Sequence, residues 1–211
     1  MSDTSPHSEN RPLTAFAIVI GTVFLSAASD VLTKHLATRY PVELVMAIRY
    51  LVSLMLILTF FWPVMGRTLW QTRRTRWVLL RGLILVLASL MIGHALRLMP
   101  MGETISILYS FPILVMILSI PLMKEKLSLF NWGCALFGFA GVLIIVRPGG
   151  GLDTLGVIFA LLTALLTAIF HLMTRVLSQI ETSHALLFHS ILVSTLCSCL
   201  LALSTWEGYL P

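Results

Sequence analysis

The stretch LGVIFALLTALLTAIFHLMTR, residues 155–175, carries no charged side chain until its last position. Coiled as a helix that rises about 1.5 Å per residue, it is roughly 30 Å long, which is the thickness of a bilayer's hydrocarbon core. A run of this length is read as a membrane-crossing helix, because soluble core helices and strands bury shorter apolar segments. Working outward from it, six comparable runs fall at 13–34, 44–64, 77–96, 104–123, 128–146 and 185–203, each bounded by charge, proline or glycine. The expected fold is all-α, a polytopic membrane protein of about seven transmembrane helices.

Composition supports this. Of 211 residues, 58% are hydrophobic and 11% charged, against about 25% charged in soluble domains. With a mean hydropathy of +0.96, the chain has too few charged groups to cover a water-facing surface, which excludes soluble enzymes and nucleic-acid-binding proteins. The formal charge of +5 is carried by bases lying mostly between apolar runs, so it reads as membrane orientation and not as a polyanion-binding patch. Cys134, Cys197 and Cys199 all lie inside apolar runs, where they imply neither a disulfide framework nor a metal site and are read as small packing residues. No metal or cofactor is expected.

Between the runs the chain is short and polar. Residues 1–12 form a polar tail expected to be disordered, 66–76 is basic, and Pro148-Gly149-Gly150-Gly151 breaks the chain between the fifth and sixth runs. Arg11, an apolar stretch and Ser26-Ala27-Ala28-Ser29 imitate a cleaved secretory signal, but the run is long enough to cross and is expected to remain as the first helix. With the N-terminus inside, the cytoplasmic face receives Arg11, Arg67, Arg73, Arg74, Arg76, Arg81, Lys124, Lys126 and Arg175, while the other face receives Lys34, Arg39, Arg97 and Arg147. That imbalance puts the N-terminus in the cytoplasm and the C-terminus outside.

Sliding the chain against itself by 141 residues lays Thr33-Lys34-His35-Leu36 over Thr174-Arg175-Val176-Leu177, and Leu51-Val52-Ser53 over Leu192-Val193-Ser194. The offset contains five runs, an odd number, so the second copy must be inserted upside down. Inverted repeats of this kind build many secondary transporters, with the solute site near the bilayer midplane between the copies. Two full copies would need about 294 residues, so the chain is expected to be truncated after the seventh helix.

In the fourth and fifth runs, Pro112 at mid-span, Glu125-Lys126 at the turn, Trp132-Gly133, Gly138, Gly141-Val142 and the closing Arg147-Pro148-Gly149 resemble, in order and spacing, an EamA-type member of the drug/metabolite transporter superfamily. Pro41 followed by Arg49 resembles it too. The likeness implies a five-helix EamA repeat over 13–147 and a partial second repeat of two helices over 148–211. It also implies carriage of small solutes, a class ranging over amino acids, nucleoside-like metabolites, vitamins and drugs.

Ionisable groups inside spans are the first functional candidates, since each costs about 2.5–3.5 kcal/mol at mid-helix. Asp30 and Arg49 lie equally far from the first turn, roughly 7–9 Å from the midplane, and are expected to meet. They either fix the two helices as a buried pair or serve coupling and solute binding, with Arg49 holding a carboxylate and Asp30 a proton. His94 and Tyr109, with Glu103 just outside, suit a polar cavity wall or ordinary interhelical hydrogen bonds. Pro112 should kink the fourth run, freeing a carbonyl for a solute or merely for packing. The candidate solute-binding residues are therefore Arg49, His94, Tyr109 and Pro112. Arg81 and Arg97 read as snorkelling interface residues, and Gly133, Gly138 and Gly141 as a close-packing face for scaffold or homodimer.

A retinal-binding receptor is excluded because no lysine follows Lys126, and a membrane protease because Asp30 is the one deep acid and neither H-E-x-x-H nor G-x-S-x-G occurs. The reading is a non-enzymatic inner-membrane carrier of small, amino-acid-like or other organic solutes, working by alternating access and read as an exporter. The alternative is a truncated, non-transporting scaffold that needs a partner chain. The expected partners are the solute, the lipid bilayer and, through an exposed polar wall, further copies of the chain in a homo-oligomer, with no nucleic acid.

Overall fold

The computed structural model describes residues 12–123, 128–146 and 151–206, and every regular element among them is helical. The polar tail up to residue 11, the Glu125-Lys126 turn and Arg147-Pro148-Gly149 lie outside the described residues. The helices are α1 Pro12–Ala37, α2 Val42–Met65, α3 Thr75–Leu98, α4 Met101–Leu108, α5 Phe111–Met123, α6 Leu129–Val146, α7 Thr154–Leu177 and α8 Ser183–Trp206, with a 3-10 turn at Gly66–Leu69. The chain is thus a polytopic all-α membrane protein. Six spans are long and apolar enough to cross a bilayer, α4 and α5 together making one of them (Met101–Leu122). The apolar part of α6, Leu129–Ile144, is shorter than the roughly 20 residues of a full crossing.

Local chemistry sets the boundaries. Pro41 and Pro100 begin α2 and α4 with φ near −55° and −57°, the angle their rings impose at a helix start. Asp153 caps α7 by accepting from the Gly156 amide at 2.8 Å. Gly66 ends α2 with φ +50°, a backbone state that side chains with a Cβ rarely adopt. The fourth run is not one continuous helix. Pro112 has no N–H to bond the carbonyl of Leu108, and the chain turns at Tyr109 and Ser110, where the Ser110 amide and hydroxyl both donate to the Ile107 carbonyl at 3.0 and 2.7 Å.

In a membrane, helices associate by packing and hydrogen bonding, since lipid tails remove the hydrophobic drive. α3 is the hub. It packs on α7 and α8, α2 lies along α8, and α4 and α5 cover α7. Ala37, Val42, Met46, Tyr50, Val86 and Leu90 join α1, α2 and α3 in one buried cluster, and Ala95, Met99, Ile107 and Ala160 join α3, α4 and α7 in another. The glycines that permit close approach are on these helices. A Cβ at Gly82 would meet the Val193 Cβ at 2.8 Å, one at Gly93 the Val42 Cγ1 at 2.4 Å, and one at Gly156 the Met99 Cγ at 2.5 Å. The α6 glycines expected to do this, Gly133, Gly138 and Gly141, have no described atom within 4 Å of a built Cβ. Their face of α6 is open.

Candidate functional site

Arg49 projects from the second turn of α2 into a groove of about 560 Å³ between α1 and α2. Polar walls come from Ser29 and Thr33 of α1, Tyr40 of the connecting turn and Ser53 of α2. The Thr33 hydroxyl donates to the Ser29 carbonyl at 2.8 Å and the Ser53 hydroxyl to the Arg49 carbonyl at 2.9 Å, so both oxygens keep lone pairs as acceptors. Asp30 is half-buried on α1 and within electrostatic reach of Arg49. The direct contact expected between them is absent: among the described residues no ion pair joins Asp30 to Arg49. Equal depth does not fix azimuth. Ser29 and Thr33, four residues apart, present one face of α1 to the groove, and Asp30 is rotated from that face by about 100°.

His94 has a carboxylate partner of its own. Its Nε2 stands 3.4 Å from Glu43 Oε1, with the two side chains 30% and 22% exposed, and its ring lies 5.5 Å from that of Phe159. Beside this pair the Lys34 ammonium donates to the carbonyls of Leu96 and of Met99, the latter at 2.6 Å, a cation satisfying the end of α3 where helix carbonyls lack partners. Tyr109 is 62% exposed at the α4–α5 break. Pro112 lines a separate groove with Met116, Asn131 and Cys134, between α5 and α6. The four solute-binding candidates therefore occupy separate places: Arg49 between α1 and α2, His94 between α2 and α3, and Tyr109 and Pro112 along the fourth span.

Arg81 departs furthest from its sequence reading. It does not snorkel: the residue is 6% exposed. Its Nε donates to the Thr174 hydroxyl at 2.9 Å, one Nη donates to the Leu186 carbonyl at 3.0 Å and to the Ser190 hydroxyl at 2.5 Å, and the guanidinium lies 4.2 Å over the Phe170 ring. All these partners belong to α7 and α8, and every acceptor is neutral. Depth along α3 was legible, but the covering helices were not. One turn outside, the Glu181 carboxylate of the α7–α8 connection accepts from the Arg73 and Arg74 amides at 2.7 and 2.6 Å, capping α3. Neither Glu43 nor Glu181 was singled out in the sequence, since both fall just beyond apolar runs. An acid in the first turn of a helix, as Glu43 is, was the available signal.

Three groups of residues thus act on α3 and its neighbours: a groove holding an arginine that no carboxylate pairs among the described residues, a Glu–His and lysine cluster at the C-terminal end of α3, and a neutral-acceptor arginine network with a carboxylate tie at its N-terminal end. Residues 13–147 match the EamA-like transporter family. The chain is 26% identical over 201 residues to an S-adenosylmethionine uptake transporter of Rickettsia bellii, covering 93% of this chain and 69% of that protein. It is 23% identical over 181 residues to the S-adenosylmethionine uptake transporter of Rickettsia prowazekii, covering 86% and 61%. To a riboflavin transporter of Vibrio cholerae it is 26% identical over 168 residues, covering 79% and 56%. The matched part of the chain thus spans 56–69% of the length of these relatives. No solved structure matches it.

Proposed function

The chain belongs to the EamA-like transporter family, and from that premise we propose that it carries a small organic solute across the inner membrane by alternating access, holding the solute's anionic group on Arg49. The observation that carries this reading is a guanidinium within a membrane span, facing a largely apolar groove of about 560 Å³ that also presents the hydroxyls of Ser29, Thr33, Tyr40 and Ser53, with no carboxylate paired to it among the described residues. A charge at mid-span costs about 2.5–3.5 kcal/mol, and a solute carboxylate entering the groove would offset that through a bidentate pair. Asp30, turned away from the groove face, adds a negative charge within electrostatic reach of Arg49 without pairing it. An amino-acid head group supplies the carboxylate, as S-adenosylmethionine does, whereas riboflavin has no carboxylate.

Two oppositely oriented units, 13–147 and 148–211, are supported by the places where the matched motifs fall. Lys34, in the first copy, bonds the C-terminal end of α3, and Thr174, in the second, bonds Arg81 near its N-terminal end. A cytoplasmic N-terminus is supported by the bases of the α2–α3 connection, which Glu181 ties to the α7–α8 connection on the same face. Export was the direction expected from the sequence, whereas the Rickettsia relatives are named for uptake, so the assay is run both ways. The alternative, a non-transporting scaffold, is favoured by the open glycine face of α6, on which further copies could assemble.

The chain reconstituted in liposomes should move S-adenosylmethionine down an imposed gradient, and Arg49→Gln should raise the half-saturating concentration at least about tenfold, the loss of one charge-assisted pair. Competition by the decarboxylated analogue as strong as by the parent compound would overturn the Arg49 assignment. No flux of either relative's solute in either direction would favour the scaffold.

A further inference from the structure

Arg81 sits at one end of a line of buried hydroxyls. On α8, Ser190, Ser194 and Ser198 recur every fourth residue and are 2%, 0% and 0% exposed, so they form one stripe on the helix. The Ser194 hydroxyl reaches the Gly82 carbonyl of α3 at 3.4 Å, and Thr195, beside the stripe, donates to the Tyr50 carbonyl of α2 at 3.1 Å. At Gly82 the helices are close enough that a Cβ would lie 3.3 Å from the Ser190 Cα. Ser198, deepest in the stripe, has a buried hydroxyl with no partner among the described residues. Hydroxyls hold membrane helices together where they find partners, but an unsatisfied buried hydroxyl such as that of Ser198 costs about 1–3 kcal/mol. Water would satisfy it if the helices parted.

Arg81 closes the outer end of this stripe. Its bonds to Thr174, Leu186 and Ser190 go to neutral oxygens of α7 and α8, and a guanidinium exchanges neutral acceptors for water at less cost than breaking an ion pair with a buried carboxylate. The bonds join α3 of the first unit to both helices of the second, the elements that must separate when an inverted-repeat carrier opens. Resting on the transporter reading above, we propose that the α3–α8 seam is the closed half of the solute path on the basic-loop side, and that Arg81 is its latch. It is a positioning residue, which acts by holding α7 and α8 and not by touching solute. The hydroxyls of Ser190, Ser194 and Ser198 line the path when it opens.

The test uses the full chain in lipid nanodiscs, where both faces are accessible, with Cys134, Cys197 and Cys199 replaced by serine and a single cysteine placed as Ser194→Cys. A water-soluble maleimide should label it slowly in the parent. Arg81→Gln, which leaves one neutral donor group for three acceptors, should speed labelling about tenfold or more, and Arg81→Lys should fall between. Val78 and Leu186 pack together across the same α3–α8 contact. Replacing both by cysteine and oxidising them should suppress labelling at 194, and reduction should restore it. Equal labelling in the parent, Arg81→Gln and the oxidised pair would show a fixed brace and overturn the proposal. If Arg81→Gln does not fold, the disulfide arm alone decides between these outcomes. Flux separates this idea from the functional reading: labelling that responds as stated in a protein moving no solute would sink the transport assignment and leave the opening seam standing.

Discussion

Replacing Glu181 tests whether the two cytoplasmic connections are held together by a single carboxylate. Glu181 is 7% exposed, and one of its oxygens accepts from both the Arg73 and Arg74 amides, at 2.7 and 2.6 Å. The Arg74 amide belongs to the N-cap residue of α3, where the first N–H groups have no internal acceptor, and the Arg73 amide lies just before it. Losing a side-chain cap costs about 0.5–2 kcal/mol, and losing a negative charge beside the positive helix end adds about 0.3–1 kcal/mol. Water reaches this connection and rehydrates part of what is freed, so Glu181→Ala should cost roughly 1–2 kcal/mol locally. Glu181→Gln keeps an acceptor and forfeits mainly the charge, about 0.3–1 kcal/mol. Hydrogen exchange reads this directly, because an amide protected by a local contact exchanges in proportion to how often that contact opens. In mild detergent, amides 73 and 74 should exchange about 5- to 30-fold faster in Glu181→Ala and only a few-fold faster in Glu181→Gln. Wild-type exchange at both amides in a folded Glu181→Ala protein would refute the cap. So would equal acceleration in the two variants, which would assign the whole effect to charge.

Gly93→Leu should lower the melting temperature in detergent, since even its Cβ would lie 2.4 Å from Val42 Cγ1 and 3.0 Å from Met46 Cε; overpacking of this kind costs about 1–3 kcal/mol. A Cβ at Gly138 meets no described atom within 4 Å, so Gly138→Leu should leave the melting temperature unchanged, and a drop equal to that of Gly93→Leu would contradict the open face of α6. If copies assemble through that face, the same Gly138→Leu change should shift the chain toward smaller species in light scattering, and an unchanged mass would place the contact elsewhere. Alkaline phosphatase fused after Pro211 should be active and a fusion within residues 66–76 silent; the reverse pattern would invert the membrane orientation and the repeat argument built on it.

The spans were legible because their signal is one-dimensional: apolar length and bounding charge survive without knowledge of neighbours, as the run at 155–175 and its helix α7, Thr154–Leu177, illustrate. Depth was legible for the same reason, since 1.5 Å per residue places a side chain along the normal whatever it packs against. Azimuth and partners were not. Asp30 and Arg49 share a depth and still make no ion pair, because the rotation of α1 turns Ser29 and Thr33 to the groove. Arg81 sits where a snorkelling side chain would, and only the presence of α7 and α8 over that face of α3 distinguishes burial from exposure. Glu43 stands in the first turn of α2, at the polar boundary just outside the apolar run, where apolar length and intramembrane charge carry no signal for it.

The two ends of α3 are held by unlike chemistry, and that difference bears on which end can move. At its C-terminal end Lys34 bonds two backbone carbonyls that α3 cannot satisfy itself, and the Gly156 approach to Met99 leaves no room for a Cβ. Parting the helices there would strip a helix end of its cation and undo the packing of the Met99 and Leu98 side chains on Gly156. At the N-terminal end the Arg81 bonds run to hydroxyls and one carbonyl that water can replace, and Ser198 gains a partner when water enters. Glu181 ties the same end to the α7–α8 connection through the Arg73 and Arg74 amides, so opening on the basic-loop side also releases this carboxylate to the water at that connection; the seam proposed above then opens about the lysine-capped end of α3. In the nanodisc experiment this orders two rates: cysteine at Ser194 should be labelled faster than one placed at Ala160, which is equally buried but packs against Met99 at the other end. Faster labelling at 160 would reverse the assignment of the mobile end.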